Sequence, residues 1–256
     1  MAQRRLWTRD EFILTFNLYL KMPFGKMYSR NPQVVELANL IGRTANSVAL
    51  RLVNFAACDP ALKARGIKGM AGGISQCTPY WEEFANDREK LVFESEKILA
   101  RYQNTNIEDK YKQLIGSIEK QGEDKLLEVK MRVNQDFFRH MILVNYDDKC
   151  AVSGVDIPEL LIASHIIPWA ENEKERLNPE NGICLSSLYD SAFDKGLISF
   201  DDDYKMIVSS RLKKHANDTY YQQFFMPFIG KPLNEALDYM PRKDFLEWHR
   251  DVLFDK

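Results

Sequence analysis

The 256-residue chain is predicted to be an α+β protein, with helices in its first half and short strands mixed with helices in its second. Apolar residues recur at helical spacing as far as about residue 130. Val- and Ile-rich runs bounded by turn residues follow after residue 150. Hydrophobic residues make up 45% of the chain, enough for a substantial core. We divide the chain into residues 1–79, 80–130 and 131–256.

The first predicted helix lies in WTRDEFILTFNLYLKM. Thr8 is placed as its N-cap and Glu11 follows three residues later, which is the spacing of a capping box. Phe12, Leu14 and Phe16 then supply apolar positions.

Two further helices are predicted in NPQVVELANLIGRTANSVALRLVNFA. Val34, Leu37 and Ile41 repeat at helical spacing, Gly42 ends that helix, and Thr44 caps the next one. Two helices joined by a tight turn with a glycine form a helix-turn-helix, so residues 1–79 are predicted to be an all-α, helix-turn-helix-like DNA-binding domain.

The second helix of this pair is expected to face double-stranded DNA. Its polar side carries groups that donate to phosphates and base edges, namely Arg43, Asn46, Ser47, Arg51 and Asn54. Residues 1–79 hold eleven Lys and Arg against four Asp and Glu, a net charge of +7, whereas the whole chain carries −2. This asymmetry favours a polyanionic partner, although charges on a solvated surface are the alternative.

Residues 64–75, ARGIKGMAGGIS, are predicted to form a flexible, basic surface loop that can touch a DNA backbone. Residues 80–130 are rich in Glu, Lys, Gln and Leu, and predict amphipathic helices with a break near Asn104–Asn106. We expect a helical connector or a homodimerisation element there.

The second half predicts strands and helices in alternation. CAVSG and LLIASHIIP are expected to pair as a β-hairpin, and NGICLSSLYDSAFDKGLISF to form a strand, a helix and a strand. DYKMIVSSRL predicts another strand, and PRKDFLEWHRDVLFD an amphipathic helix. His249 in that helix is expected on the helix surface or in an interdomain contact.

One histidine is placed where chemistry is expected. His165 stands inside the apolar run LIASHIIPW, with Asn181 sixteen residues later and Asp190 nine beyond that. Asp190 and Asp194 are four apart and share one helical face. A buried core histidine and ordinary surface carboxylates are the alternatives.

The stretches CAVSG, LIASHIIPW, ERLNPENGICL, YDSAFDKGLISF and FLEWHRDVLF together resemble the HNH endonuclease family, in particular its bacterial restriction-type branch. The resemblance covers about residues 131–256. It implies a ββα-metal nuclease domain, in which two strands and a helix hold one divalent cation.

The resemblance also implies roles for single residues. His165 matches the first histidine of the motif, which deprotonates the attacking water. Asn181 matches the asparagine that braces the histidine loop, with Asn178 as the runner-up. Asp190 falls where the last metal ligand stands, and Asp194 supplies a second carboxylate or braces the turn after it.

Carboxylate ligands favour Mg²⁺ or Mn²⁺, with Zn²⁺ as the alternative. Many family members carry Asp or His just before the catalytic histidine, whereas this chain has Ser164, so the full set of metal ligands is open.

The chain is therefore predicted to be a metal-dependent DNA endonuclease, in restriction or other defence, acting as a homodimer. A catalytically inactive DNA-binding regulator and a nuclease for RNA or structured DNA are the alternatives. The four cysteines form no CxxC pair, and neither a membrane span nor a secretory signal is recognised, so no membrane contact and a cytoplasmic location are expected.

Overall fold

The computed structural model describes residues 5–107, 109–111 and 123–255. The chain forms two compact units, Met1–Phe137 and Phe138–Lys256. The division into residues 1–79, 80–130 and 131–256 remains a prediction.

The described helices of the first unit precede α7, which contains the boundary between the two units. The helices before α7 are α1 (Arg9–Leu20), α2 (Pro32–Ile41), α3 (Ala45–Ala56), α4 (Pro60–Ala64), α5 (Ala71–Phe84) and α6 (Arg88–Tyr102). Helix α7 itself spans Glu123–Asn145.

The predicted helix ends of α1, α2 and α3 are confirmed. Thr8 and Glu11 form both hydrogen bonds of a capping box at α1. Gly42 ends α2 with φ of 65°, a left-handed conformation that costs glycine little, and the Thr44 side chain accepts from the Ser47 amide at the start of α3. Val48 on α3 is fully buried, as expected for a helix that packs against α2.

Aromatic rings fill the core of the first unit. The Phe16 ring stacks on Phe55 of α3 with centroids 4.5 Å apart and on Trp81 of α5 at 5.3 Å. The Tyr19 hydroxyl donates to an Asp59 carboxylate oxygen at 2.6 Å. These contacts hold α1, α3 and α5 together and satisfy a buried acid.

The predicted loop over residues 64–75 is wrong for its second part. Helix α5 begins at Ala71, so Gly72 and Gly73 lie in its first turn. Glycine is a poor helix former. A Cβ atom at Gly73 would overlap the side chain of Asn54, so the close approach of α3 requires glycine there.

The second unit combines short strands and helices. It contains β1 (Leu161–His165), β2 (Gly182–Ser186), α8 (Ser187–Asp194), β3 (Ile198–Phe200), β4 (Met206–Val208), α9 (Ser210–Lys213), α10 (Thr219–Phe224) and α11 (Lys243–Val252). The strand–helix–strand order predicted for residues 181–200, the following strand and the C-terminal helix are confirmed.

The predicted hairpin of CAVSG with LLIASHIIP is wrong. β1 pairs antiparallel with β2, and His165 lies opposite Gly182. CAVSG instead forms a tight turn, in which the Gly154 amide donates to the Cys150 carbonyl and Gly154 has φ of 73°. The Ala151 amide donates to the Cys184 carbonyl at 2.7 Å, so this segment is apolar because it packs beside β2.

β3 and β4 form a second antiparallel pair, and α8 packs on β1, β2 and β3. α8 therefore covers the β1–β2 pair as the helix of a ββα arrangement. Among the described helices none combines the length and apolar character that a membrane span needs.

Candidate active site

The His165 side chain lies at the end of β1, enclosed by aromatic rings. Its imidazole stacks on Phe138 of α7 with centroids 3.7 Å apart, and the Trp169 ring meets it edge-on at 5.5 Å. Burial lowers the pKa of His165 to about 4, although its hydrogen bond to the Arg176 carbonyl works in the other direction. The imidazole is therefore neutral near pH 7.

One hydrogen bond fixes the tautomer of His165. The Nε2 atom lies 3.0 Å from the backbone carbonyl oxygen of Arg176. A carbonyl oxygen only accepts, so Nε2 carries the proton and donates it. In a neutral imidazole the other nitrogen, Nδ1, then holds a lone pair and can accept a proton.

Asn181 holds the segment that follows β1. Its side-chain amide donates to the carbonyls of Ile167 and Glu175, both at 3.1 Å, and its Oδ1 accepts from the Ile167 amide at 2.9 Å. Asn181 is 1% exposed, so these bonds are shielded from water. Asn178 differs, because its side chain caps the turn at Glu180 and donates to the Glu175 carboxylate.

Arg176 ties the same loop together from outside. Its Nε donates to the Trp169 carbonyl at 2.7 Å and its guanidinium group lies 5.2 Å from the Trp169 ring. The Arg176 carbonyl orients His165, and the Arg176 side chain bonds Trp169 at the beginning of the same loop. The side chain therefore helps to hold that carbonyl in place.

Gly182 allows α7 to approach β2 beneath the histidine. A Cβ atom at Gly182 would lie 2.7 Å from Cζ of Phe138 and closer still to the side chain of Ile142. Arg139, on the same helix, donates to the carbonyls of Leu161 at 2.6 Å and Pro158 at 3.0 Å. These contacts place Phe138 against the imidazole.

Asp190 and Asp194 lie on α8, one turn apart. Burial raises the pKa of both carboxyl groups, and the charge of Asp190 raises that of Asp194 further. The Ser164 hydroxyl lies beside Asp190 and lowers its pKa, opposing the effect of burial. Ser164 precedes His165 on β1, so the two side chains point to opposite faces of the sheet, with Ser164 towards α8.

This arrangement of two strands, a covering helix and a histidine loop coincides with a sequence match. Residues 150–201 match the HNH endonuclease family. The match contains His165, Asn181, Asp190 and Asp194, and it implies nuclease activity and a nucleic-acid substrate. The comparison with curated proteins found no match.

HNH nucleases use a divalent cation, and the donors in this HNH segment fit a hard one. The Ser164 hydroxyl is 2% exposed and its oxygen has no regular hydrogen bond, although it faces a carboxylate. Among the described residues no three His, Cys, Asp or Glu side chains form a group that can hold a metal ion. Two carboxylates and a hydroxyl suit Mg²⁺, which commonly takes only one or two protein carboxylates and completes its shell with water and phosphate.

Several residues of the site escaped the sequence analysis. Phe138, Arg139 and Gly182 shape the histidine environment, but Phe138 and Arg139 lie in none of the quoted stretches, and Gly182 stands in ERLNPENGICL without a predicted role. The only signal was indirect, since a glycine opening an apolar strand often marks a close approach of another element.

The residues predicted to contact DNA occupy different environments in the first unit. Asn46 is exposed and Ser47 half-buried, near the start of α3. Arg51 is 8% exposed and Asn54 2% exposed, so their expected place on an open polar side is wrong. The Arg51 guanidinium donates to Gln76 at 2.9 Å and lies 4.6 Å from the rings of both Trp7 and Phe12.

Arg43 is also engaged inside the first unit. It donates to both carboxylate oxygens of Glu11, at 3.1 and 2.8 Å, and to the Arg5 carbonyl at 2.8 Å. Burial alone would raise the pKa of Glu11, but the hydrogen bonds from Arg43 and Thr8 and the nearby guanidinium charges bring it below its usual value. Arg43 thus neutralises a buried acid inside the unit, a role that the predicted contact with DNA did not include.

Proposed function

We propose that this protein is a metal-dependent endonuclease that hydrolyses phosphodiester bonds in double-stranded DNA, with His165 as the general base. One observation carries the proposal: the Nε2–H of His165 is bonded to a carbonyl, which leaves Nδ1 as a proton acceptor within the segment that matches HNH endonucleases. Hydrolysis at neutral pH requires a group that takes a proton from water, and a neutral imidazole suits that step.

Asn181 acts in this proposal as a positioning residue. The Asn181 side chain bonds Ile167 at one end of the loop and the Glu175 carbonyl at the other. The Arg176 carbonyl, which orients His165, belongs to the next residue after Glu175. The Asn181 amide therefore fixes the position of the carbonyl that accepts the hydrogen bond from Nε2–H of His165. The transfer of a proton from water to His165 then depends on Asn181, although Asn181 does not contact the substrate in this proposal.

Asp190 and Asp194 are proposed to hold the divalent cation, with the Ser164 hydroxyl as a third oxygen beside them. When bound, the cation supplies positive charge against the negative charge that develops on the scissile phosphate. The all-oxygen donor set favours Mg²⁺ or Mn²⁺ over Zn²⁺, which prefers nitrogen and sulfur ligands. Two partly desolvated carboxylates that repel each other gain stability from a cation between them.

The first unit is proposed to bind the duplex as a helix-turn-helix. Gly42 makes the tight turn between α2 and α3, and Asn46 and Ser47 stand at the accessible start of α3. The net charge of +7 over residues 1–79 favours contact with the phosphate backbone. In this proposal Arg43 and Arg51 support that surface from within the unit.

Restriction of foreign DNA in the cytoplasm is the setting that we propose, because the five quoted stretches resemble restriction-type nucleases. A single site cuts one strand at a time, so cutting both strands at one place favours a homodimer.

Plasmid cleavage tests this proposal. Supercoiled plasmid is incubated with the protein and Mg²⁺, Mn²⁺ or Zn²⁺, alongside His165→Ala and the matched control His215→Ala. His215 lies in the same unit as His165, but its side chain is exposed and pairs with the exposed Asp218. We expect nicking by the wild type and by His215→Ala, and its loss in His165→Ala.

Three results would contradict the proposed activity, its substrate or the role of His165. Plasmid left intact with every metal, together with a shift of DNA in a gel, would identify a DNA-binding regulator that lacks activity. Faster cutting of RNA or structured DNA than of plasmid would change the substrate. Equal activity of His165→Ala and the wild type would remove His165 from the reaction.

A further inference from the structure

A cavity of about 540 Å³ lies in the first unit. It is formed by α3, the first turn of α5 and the segment before α1, and its lining includes Trp7, Ser47, Leu50, Met70, Gly72 and Gln76. Its volume lies in the range of pockets that bind small ligands. The HNH segment lies in the other unit, so the proposed cleavage site does not account for this cavity.

The lining of the cavity carries positive charge. Arg5, Arg43 and Arg51 line it, while Glu11 is the acid that Arg5 and Arg43 share. Arg51 donates to uncharged groups of Gln76, Gly73 and Cys77. Three guanidinium groups around one carboxylate leave an excess of two positive charges, which favours an anionic ligand.

Aromatic and apolar side chains line the same cavity, and some of them are open to solvent. The Trp7 ring lies within 5.0 Å of the guanidinium carbon of Arg43 and 4.6 Å of that of Arg51. Leu50 is 44% exposed and Met70 60% exposed at the same cavity. Large apolar side chains left in water beside a cavity mark a surface that a ligand can cover.

Gly72 keeps part of the cavity open. Glycine in a helix costs about 1 kcal/mol relative to alanine. At Gly73, the close packing against Asn54 explains why glycine is present despite this cost. At Gly72 it does not, because a Cβ atom there would meet no heavy atom within 4 Å. Gly72 therefore lines the cavity where a side chain would otherwise enter it.

We propose that this cavity binds a single nucleotide unit of the strand that the protein engages, with the base beside Trp7 and Leu50 and the phosphate on the side of Arg5 and Arg43. This inference rests on the proposed function, because it takes a nucleic acid as the substrate. A planar base suits the aromatic and apolar side chains of the lining, and the phosphate charge suits its guanidinium groups.

A paired base must leave the stack before it enters a pocket, which costs a few kcal/mol and costs least for an unpaired base. The protein is therefore expected to prefer DNA with an unpaired base. The probe is a short duplex with one bulged adenine, compared with the same duplex fully paired, by fluorescence anisotropy without divalent cations so that neither is cut. We expect the wild type to bind the bulged duplex about tenfold more tightly or better.

Gly72→Leu tests whether the cavity causes this preference. The Cβ atom of a leucine at position 72 meets no heavy atom within 4 Å, and leucine favours the helix, so its side chain is expected to occupy the cavity and the ratio of the two affinities to fall to about one. Leu50→Trp fills the cavity from α3 and should have the same effect. The matched control is Gly25→Leu, which also adds leucine in open space but outside the cavity, and should keep the wild-type ratio.

Equal affinity of the wild type for the two duplexes would overturn the proposal, and so would a preference that survives both cavity-filling variants. Plasmid nicking by the wild type is measured in parallel. Nicking without a preference for the bulge would reject the cavity proposal alone, whereas absence of both nicking and DNA binding would reject the proposed function.

Discussion

At the scale of single residues, the site depends on backbone carbonyls whose positions side chains control. His165 receives its orientation from the Arg176 carbonyl, and Asn181 fixes the preceding turn. In the proposed mechanism, Asn181 thus influences which nitrogen of the imidazole accepts a proton without itself contacting the substrate.

Asn181→Ala is expected to lower the unfolding free energy of the second unit by about 2–3 kcal/mol and to abolish nicking. The substitution removes three hydrogen bonds and leaves the buried amide and carbonyl of Ile167 without a partner. Urea unfolding and plasmid nicking measure the two effects.

Asn178→Ala is the matched control for Asn181→Ala. It removes a cap and one hydrogen bond to Glu175, so we expect a loss of about 1 kcal/mol with nicking retained. Equal loss of nicking in both variants would show that the loop as a whole, rather than Asn181, positions the base.

His249 provides a prediction of pH-dependent stability. The expectation of a surface or interdomain position is wrong, because His249 is fully buried, donates from Nε2 to the Phe193 carbonyl and accepts at Nδ1 from the Ser199 hydroxyl. Burial lowers its pKa from 6.5 to about 4. Between these values the unfolded chain binds a proton that the folded chain does not, so stability must fall as the pH falls through this range.

The expected loss from His249 is about 3 kcal/mol between pH 6.5 and pH 4. Urea unfolding across this range measures the total, and NMR titration of the His249 ring isolates its share. An imidazole midpoint near its ordinary value would contradict the buried, neutral state.

At the scale of elements, the sequence predicts which segments form helices and strands but not which strands pair. Thr8, Gly42 and Thr44 carry local signals, and the structure follows them. Alternating apolar residues predict that a strand exists, but its partner depends on packing across the chain. The apolar residues of CAVSG predict a strand, but the segment forms a turn in which Cys150 and Ala151 are buried.

The same limit applies to the candidate site. The spacing of His165, Asn181 and Asp190, together with the family resemblance, selected residues that the structure places at the end of β1, in the turn before β2 and on α8. The support from α7 was not predictable, because Phe138 lies 27 positions before His165 and only the fold brings the two rings together. Arg43 and Arg51 looked like open polar groups because helical spacing does not show what packs against a helix.

Gly182→Ala is expected to displace α7 from β2 and weaken nicking. The added methyl group would overlap Phe138 and Ile142, and overpacking of this kind costs about 1–3 kcal/mol. Combining it with Ile142→Val removes the nearest overlapping atom, while the overlap with Phe138 remains, so the double variant should recover part of the lost stability and activity. Thermal unfolding and nicking of the two single variants and the double variant measure the coupling. Strictly additive effects would contradict the close approach.

At the scale of the whole molecule, charge is divided between the first third of the chain and the remainder. Residues 1–79 carry a net charge of +7 while the chain carries −2, so the first part is expected to provide most of the contact with phosphates. Lys63 and Lys68 are exposed there, next to the start of α5.

The double substitution Lys63→Glu, Lys68→Glu is therefore expected to weaken DNA binding and to reduce its salt dependence, by roughly one unit of logarithmic slope for each lost phosphate contact. Lys213→Glu, Lys214→Glu makes the same charge change at exposed positions of the second unit and should have a smaller effect. Anisotropy titrations at several salt concentrations give both quantities. The reverse order would place the main DNA surface in the second unit.

The most direct test of the account is the chemistry of the cut ends. Water activated by His165 is expected to leave a 5′-phosphate and a 3′-hydroxyl, as the HNH resemblance implies. Plasmid nicked by the wild type is purified and treated with DNA ligase, which joins only such ends. Ligase is expected to reseal the nicked circles, and His165→Ala is expected to yield none to reseal. Nicks that ligase cannot close, or equal nicking by His165→Ala, would contradict the role of His165 as the base in an HNH-type cleavage.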